Sequence, residues 1–194
     1  NIITGSFPST SGRVFHGTQD ITNKPAYEIS ATGINRTYQN LKLYNSLTVK
    51  ENLMVGMQSK TTQSFGSFMV NPFRTAREEK IIEQRAEEIL NYIGIYNLRN
   101  EYVRNIAYGR QKMTELGRAL MNDPTLLFLD EPAAGLNPSE RVEFVDLLLR
   151  VFDSGIDLFL IEHNMDVVMN ISHMITVINF GAKIAEGTPK EVQN

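Results

Sequence analysis

The stretch LLFLDEPAAGLNP, residues 126–138, runs four apolar residues straight into two adjacent carboxylates, Asp130 and Glu131, then a proline and a small-residue loop. The apolar run does not alternate, and it is too short to be a helix of its own. Such a run suits a central parallel strand covered on both faces. Asn137 then has the position of an N-cap, with Pro138 first in the helix and Glu140 third. Val142, Val145, Leu148, Leu149 and Phe152 are the expected buried stripe of that helix. Downstream, IDLFLIEH (156–163) reads as a second strand with a polar end, and ITVINF (175–180) as a third, with a short helix between them. Thr188, Pro189 and Glu191 open a final helix. Strand, helix, strand, helix, strand predicts an α/β layer with a parallel sheet.

Toward the N-terminus the signals are more local. NIITG (1–5) reads as a helical turn closed by Gly5 in the left-handed cap position. SGRVFHGTQDI (11–21) predicts two short strands about a glycine turn. Asn23, Lys24 and Pro25 start a short helix that Gly33 ends, and INRTYQN (34–40) is strand-like. Thr48 and Glu51 have capping-box spacing before a helix. Residues 56–76 read as a variable connection rich in Ser, Thr, Gln, Gly and Phe. From Glu78 a helical period places Ile81, Ile82, Ala86, Ile89, Leu90 and Ile93 on one face, stopped by Gly94. Met113, Leu116, Gly117 and Leu120 mark the buried face of a second helix.

The 194 residues carry a net charge of −3, 42% hydrophobic residues and no cysteine. That composition is ordinary for a globular domain, gives no basic field for nucleic acid, and excludes disulfides and thiolate metal sites. No apolar run approaches the ~18 residues of a membrane span. The start, NIITGSFPST, has neither a basic segment nor a long apolar one and lacks an initiator Met. The chain is expected to begin inside a longer gene product.

In open α/β sheets, ligands sit at the carboxyl ends of the strands. Both clear strands end in chemistry, Asp130-Glu131 on one and Glu162-His163 on the other. If they are neighbours, carboxylates and an imidazole converge at one edge, a set that suits a nucleotide with a magnesium ion. Asp at a strand end can hold the metal, Glu beside it can deprotonate an attacking water, and His can reach a terminal phosphate. Taken singly, each feature is more often a helix cap or a surface hydrogen-bonder.

The joint pattern resembles the ABC-type ATPases. LLFLDEP is similar to their Walker B strand, AAGLNP to the D-loop, LIEHNMD to the switch-histidine segment, NIAYGRQKMTELGRALMNDP to the signature loop and helix, and RTYQN to the Q-loop. TSGRVFHGTQDIT, RTYQNLKLYNSLTVKENLMVG, AYGRQ, DEPAAGLNP and EHNMDVVM resemble the ATP-binding subunits of branched-chain amino acid importers. The resemblance implies an α/β P-loop NTPase core with a mostly parallel sheet and an α-helical subdomain. Residues 1–40 would be the first part of the core, 41–121 the helical subdomain with the signature, and 122–194 the rest of the core.

It further implies ATP and Mg2+ as cofactors. Gln39 would touch the metal or the attacking water, Asp130 would support Mg2+, Glu131 would be the general base and His163 would contact the γ-phosphate. Ala107, Tyr108, Gly109, Arg110 and Gln111, with Asn137 of the D-loop, would reach the nucleotide of a second ATPase subunit. Membrane-spanning permease subunits would dock near residues 41–76, where Phe65, Phe68 and Phe73 suit either a partner or a helical core. The chain would sit peripherally on the cytoplasmic face of the plasma (inner) membrane, with no nucleic acid partner.

Several positions depart from the family pattern. Leu-Ser-Gly-Gly-Gln is replaced by Ala107-Tyr108-Gly109-Arg110-Gln111, so Tyr108 brings no small hydroxyl, and Arg110 brings a charge for either a phosphate or a rim salt bridge. Asn137 stands where many relatives have Asp. No G-x-x-x-x-G-K-[ST] occurs, and Lys60-Thr61 follows Ser59. The resemblance implies that this loop lies upstream, that the sheet has a gap or an open edge, and that these 194 residues alone bind MgATP weakly and do not hydrolyse it. A non-catalytic remnant or interaction module, and an ABC ATPase of a non-transport class, are the alternatives.

Overall fold

The computed structural model of the chain describes residues 1–37, 41–57 and 72–193. Gln39, Phe65, Phe68 and the side chain of Phe73 lie outside the described residues.

A parallel sheet organises the molecule. Its strand order is β3 (Ile34–Arg36), β4 (Leu126–Asp130), β5 (Asp157–Ile161), with β4 in the middle. The register pairs Ile34 with Leu126 and Asp130 with Ile161. Leu127 and Leu129 point to one face and are fully buried, whereas Leu126 and Phe128 on the other are only half-buried. Both faces of β4 are covered, as the run predicts, but unequally. On the thin face, Ile21, Ile29 and Ile34 form a small cluster with Val14, Leu126 and Phe128. The Phe128 ring lies 4.9 Å from that of Phe159, which is itself 51% exposed. Among the described residues, β5 has no strand on its outer side. The edge is open.

The thick face carries the helices. α2 (Val49–Val55) starts at a complete capping box between Thr48 and Glu51. α3 (Pro72–Tyr92) begins six residues before the period sharpens at Glu78, with Pro72 at a position that needs no N–H. It buries Ala86, Ile89 and Leu90, while Ile81, expected on that face, is 50% exposed. α4 (Tyr108–Leu120) buries Met113, Leu116, Gly117 and Leu120. A Cβ at Gly117 would come within 2.7 Å of Ile93 Cδ1, so the glycine permits the close approach of this segment to α4.

α5 (Pro138–Asp153) has the capping box of Asn137 with Glu140. Its buried stripe is Phe144, Leu147, Leu148 and Val151; of the expected set only Leu148 belongs to it, and Val142 is exposed. The helix is apolar on more than one side, so periodicity alone picked the wrong one. The buried residues of α2, α3, α4, β4 and α5 form one continuous cluster.

The third expected parallel strand is also corrected. After α6 (Met165–Ile171), β6 (Ile175–Asn179) pairs antiparallel with β7 (Ala182–Gly187), a strand with no expectation attached to it. Phe180 and Gly181 both have positive φ, 46° and 81°. A two-residue turn of that kind returns the chain antiparallel. Phe-Gly is an unusual pair for it, and the turn was not legible. The N-terminal readings hold: α1 (Ala26–Ala31) follows Pro25, β1 (Phe15–His16) and β2 (Gln19–Asp20) pair about Gly17, and Gly5 closes the first turn through Gly5 N–H to Ile2 O and Ser6 N–H to Asn1 O. α7 (Pro189–Gln193) ends the described chain, with Thr188 bonded to Glu191.

Asn52 on α2 is fully buried and pins the loop that follows β3. Its Oδ1 accepts from Tyr44 N–H at 2.8 Å, and its Nδ2 donates to Thr48 O at 2.9 Å and Tyr44 O at 3.1 Å. Replacing Asn52 by Ala orphans the Tyr44 N–H and takes one of two donors from each of Tyr44 O and Thr48 O, and denaturant unfolding is expected to register a loss of about 1–3 kcal/mol.

Candidate functional site

The sheet register brings the two polar strand ends together. Asp130 is opposite Ile161, so Glu131 leaves β4 where Glu162 and His163 leave β5. The ladder continues for one more bond, from Glu131 N–H to Ile161 O at 2.8 Å. Glu131 then turns with φ 46°, a left-handed conformation that costs a non-glycine residue about 1–2 kcal/mol. Its Oε1 lies 3.7 Å from Nδ1 of His163, whose side chain is exposed. Asp130, Glu131 and His163 are thus brought to one edge of the sheet, as read from sequence.

Asp130 has a partner that sequence reading did not assign. Arg36, at the end of β3, donates from Nη2 to Asp130 Oδ2 at 2.8 Å and from Nη1 to Thr4 Oγ1 at 3.3 Å and to Asn1 Oδ1. Among the described residues, no cluster of His, Cys, Asp and Glu side chains is built to hold a metal by itself. One strand-end carboxylate is nevertheless the usual protein share of a magnesium ion whose other ligands are phosphate oxygens and water. The donor set fits a metal that arrives on a nucleotide.

Glu162, beside His163 at the end of β5, organises both loops, a role its local sequence does not signal. Oε1 accepts from Ala133 N–H at 2.9 Å, and Oε2 accepts from His163 N–H at 3.1 Å and Asn164 N–H at 3.3 Å. One carboxylate therefore fixes the path of the chain after β4 relative to the chain after β5.

The segment 107–111 sits at the start of α4, beside the loop after Glu131. Ala107 is the N-cap and makes no side-chain cap bond. The Tyr108 ring lies on Gly135, where a Cβ would approach Cε1 to 2.9 Å, and Gly135 has φ 78°. Gly109 packs on Glu140, whose Oε1 would be 2.7 Å from a Cβ there. Arg110 forms a salt bridge with Glu143 at 2.6 Å, at a half-exposed rim. Gln111 donates from Nε2 to Ile106 O at 3.0 Å and Val103 O at 3.2 Å, bracing the loop before α4. Asn137 accepts from Glu140 N–H at 3.0 Å and Ser139 Oγ at 2.7 Å, so its side chain is engaged as a cap.

Behind these groups lies Lys112, only 3% exposed. Its Nζ is 3.5 Å from the backbone O of Glu131 and 5.8 Å from the Tyr108 ring centroid. Burial lowers its pKa, against the opposing fields of Glu115, Glu162, Glu131 and Asp130. Glu115, equally buried, accepts from Lys42 N–H at 3.4 Å and faces Arg118 at 3.9 Å. Burial also raises the pKa of Tyr108, with Glu115 adding to the effect.

A family model described as "ABC transporter" matches residues 1–134. The whole chain is 37% identical to the high-affinity branched-chain amino acid transport ATP-binding protein LivG of Escherichia coli (strain K12), covering 76% of that protein. It is 35% identical to the protein BraF of the same description from Pseudomonas aeruginosa, again covering 76%. Among solved structures, the ADP conformation of an ATP-binding cassette of an ABC transporter superimposes with a TM-score of 0.84 at 32% identity, covering all of this chain and 76% of that one.

Substituting Glu162 by Ala leaves the N–H groups of Ala133, His163 and Asn164 without their acceptor. Denaturant unfolding is expected to show a loss of about 1–3 kcal/mol, with the tertiary signal of the loops at 131–136 and 162–164 changed in NMR spectra and the helical core unaltered.

Proposed function

This chain belongs to the ABC transporter family, and we propose that it acts there as the ATP-hydrolysing subunit of an importer of branched-chain amino acids. The observation that carries the reading is the meeting of Asp130, Glu131 and His163 at the carboxyl ends of adjacent parallel strands. The names of the LivG and BraF relatives support the choice of solute.

In this reading Glu131 is the general base that takes a proton from the attacking water. Its turn away from β4 aims the carboxylate beside His163, the residue assigned to the γ-phosphate. Asp130 and Gln39 are the groups that would hold Mg2+, which neutralises phosphate charge when bound. Residues 107–111 and Asn137 face the nucleotide of a second ATPase subunit. The 1–40 and 122–194 segments make up the nucleotide-binding core, and 41–121 the helical part that docks on permease subunits at the cytoplasmic face of the membrane. Among the described residues no helix is long and apolar enough to cross a membrane, so spanning would fall to the permease partners. The 194 residues contain no G-x-x-x-x-G-K-[ST] loop, so tested by themselves they bind MgATP weakly and do not turn it over.

The test is Glu131→Gln in the subunit co-expressed with its permease partners and reconstituted in vesicles. ATP turnover is expected to fall at least about a hundredfold, with binding of a fluorescent ATP analogue retained and ATP-driven uptake of labelled leucine abolished. Unchanged turnover in the variant would refute the assignment of the base. Turnover without leucine, isoleucine or valine uptake by the wild type would refute the solute.

A further inference from the structure

Two observations meet at Glu131. Its backbone is held in a left-handed conformation, and both of its polar backbone groups are claimed by different elements. The N–H donates to Ile161 O of β5, and the C=O accepts from Ala134 N–H of the following turn at 3.1 Å and, at 3.5 Å, from Nζ of Lys112 on α4. The peptide groups on both sides of its Cα are thus anchored, by β5 on one side and by its own turn together with α4 on the other, so the seating of α4 bears on the direction of the Glu131 side chain.

Lys112 is an unusual anchor. Lysine is rarely fully buried unless it is paired. Here the fields of Glu115, Glu162, Glu131 and Asp130 all favour the ammonium, and the Tyr108 ring centroid lies 5.8 Å from Nζ. The same helix grips the chain beyond Glu131 as well, through Tyr108 on Gly135 and Arg110 on Glu143. The first turns of α4 thus hold both the carboxylate residue and the loop that leaves it.

We propose that Lys112 is a positioning residue that ties α4 to the backbone of Glu131, so that the Glu131 carboxylate points to its working place only while α4 is seated against the strand ends. The proposal rests on the reading of Glu131 as the general base. In this role Lys112 acts through Glu131 rather than on the reacting groups. It converts the seating of the helix that begins at 107–111 into the orientation of a side chain at the end of β4.

The experiment uses the ATPase assembled with its partners and compares Lys112→Met, Lys112→Gln, Lys112→Arg and Glu115→Gln. Turnover, affinity for a fluorescent ATP analogue, thermal midpoint and amide exchange of residue 131 and residues 133–136 are measured for each. Lys112→Met and Lys112→Gln are expected to lower kcat about tenfold to a hundredfold, to leave nucleotide affinity within about twofold, and to speed exchange at 131–136 without speeding it in α3. Lys112→Arg, which restores a donor and a charge, is expected to recover most of the rate. Glu115→Gln is expected to keep kcat within about threefold, since it removes only one of several surrounding charges.

Turnover unchanged in Lys112→Gln overturns the proposal. So does a loss of rate, affinity and global protection together, or an effect of Glu115→Gln as large as that of the lysine variants, because either marks a plain buried ion pair. If methionine prevents folding, the contrast between glutamine and arginine decides in the same way. A complete wild-type subunit, phosphate loop included, that turns over no ATP with its partners defeats the functional reading instead, and exchange at 131–136 still tests Lys112: faster exchange in Lys112→Gln supports the tie, and unchanged exchange overturns it.

Discussion

The parallel pairing of β4 with β5 is the constraint on which the candidate site depends. The ladder runs to Asp130 opposite Ile161 and one bond further, to Glu131 N–H on Ile161 O. Slipping that register by one residue would send Leu127 and Leu129 to the thin face and bring Phe128 into the main core. The buried leucines therefore specify the register, and the register sets which polar residues leave the sheet side by side. Packing on one face of β4 thereby decides chemistry at its end.

At that end, charge and backbone strain are balanced by neighbours rather than by solvent. Asp130 is neutralised by Arg36 from β3, Glu162 collects three backbone N–H groups, and Lys112 fills the space beneath. Glu131 is held at positive φ within this frame. A strained residue persists where the surroundings over-determine it, and such places are commonly functional. Four elements supply the frame: β3, β4, α4 and β5. Their mutual placement comes from the continuous apolar cluster on the thick face of the sheet.

The outer side of β5 is less covered. β5 has an open outer side among the described residues, Phe159 and Ile161 are exposed on it, and the β6–β7 hairpin pairs only with itself there. The chain spans 76% of the length of the LivG and BraF relatives, and an ABC cassette fold of this coverage still aligns at a TM-score of 0.84.

Much of this was legible from residues close together in the chain. The capping boxes at Thr48 and Asn137, the glycine-closed turn at Gly5 and the continuous apolar strand at 126–130 are chemistry within a few positions, where neighbours along the backbone are also neighbours in space. The order of motifs around DEPAAGLNP identified the family for the same reason. The face of α5 that is buried, the return of β6 as an antiparallel hairpin, the pairing of Asp130 with Arg36, and the roles of Glu162 and Lys112 were not legible. Ala133 and Glu162 are separated by 29 positions and Lys112 and Glu131 by 19, and nothing in either local segment names the other. The sequence alone determined which residues carry charge at the strand ends and, β7 and the start of α3 apart, which segments are helix or strand, because those follow from side-chain chemistry and period. Only the tertiary structure decided what holds each charge and in which direction it points, because that depends on the packing of α4 and α5 against a sheet whose strands come from distant parts of the chain.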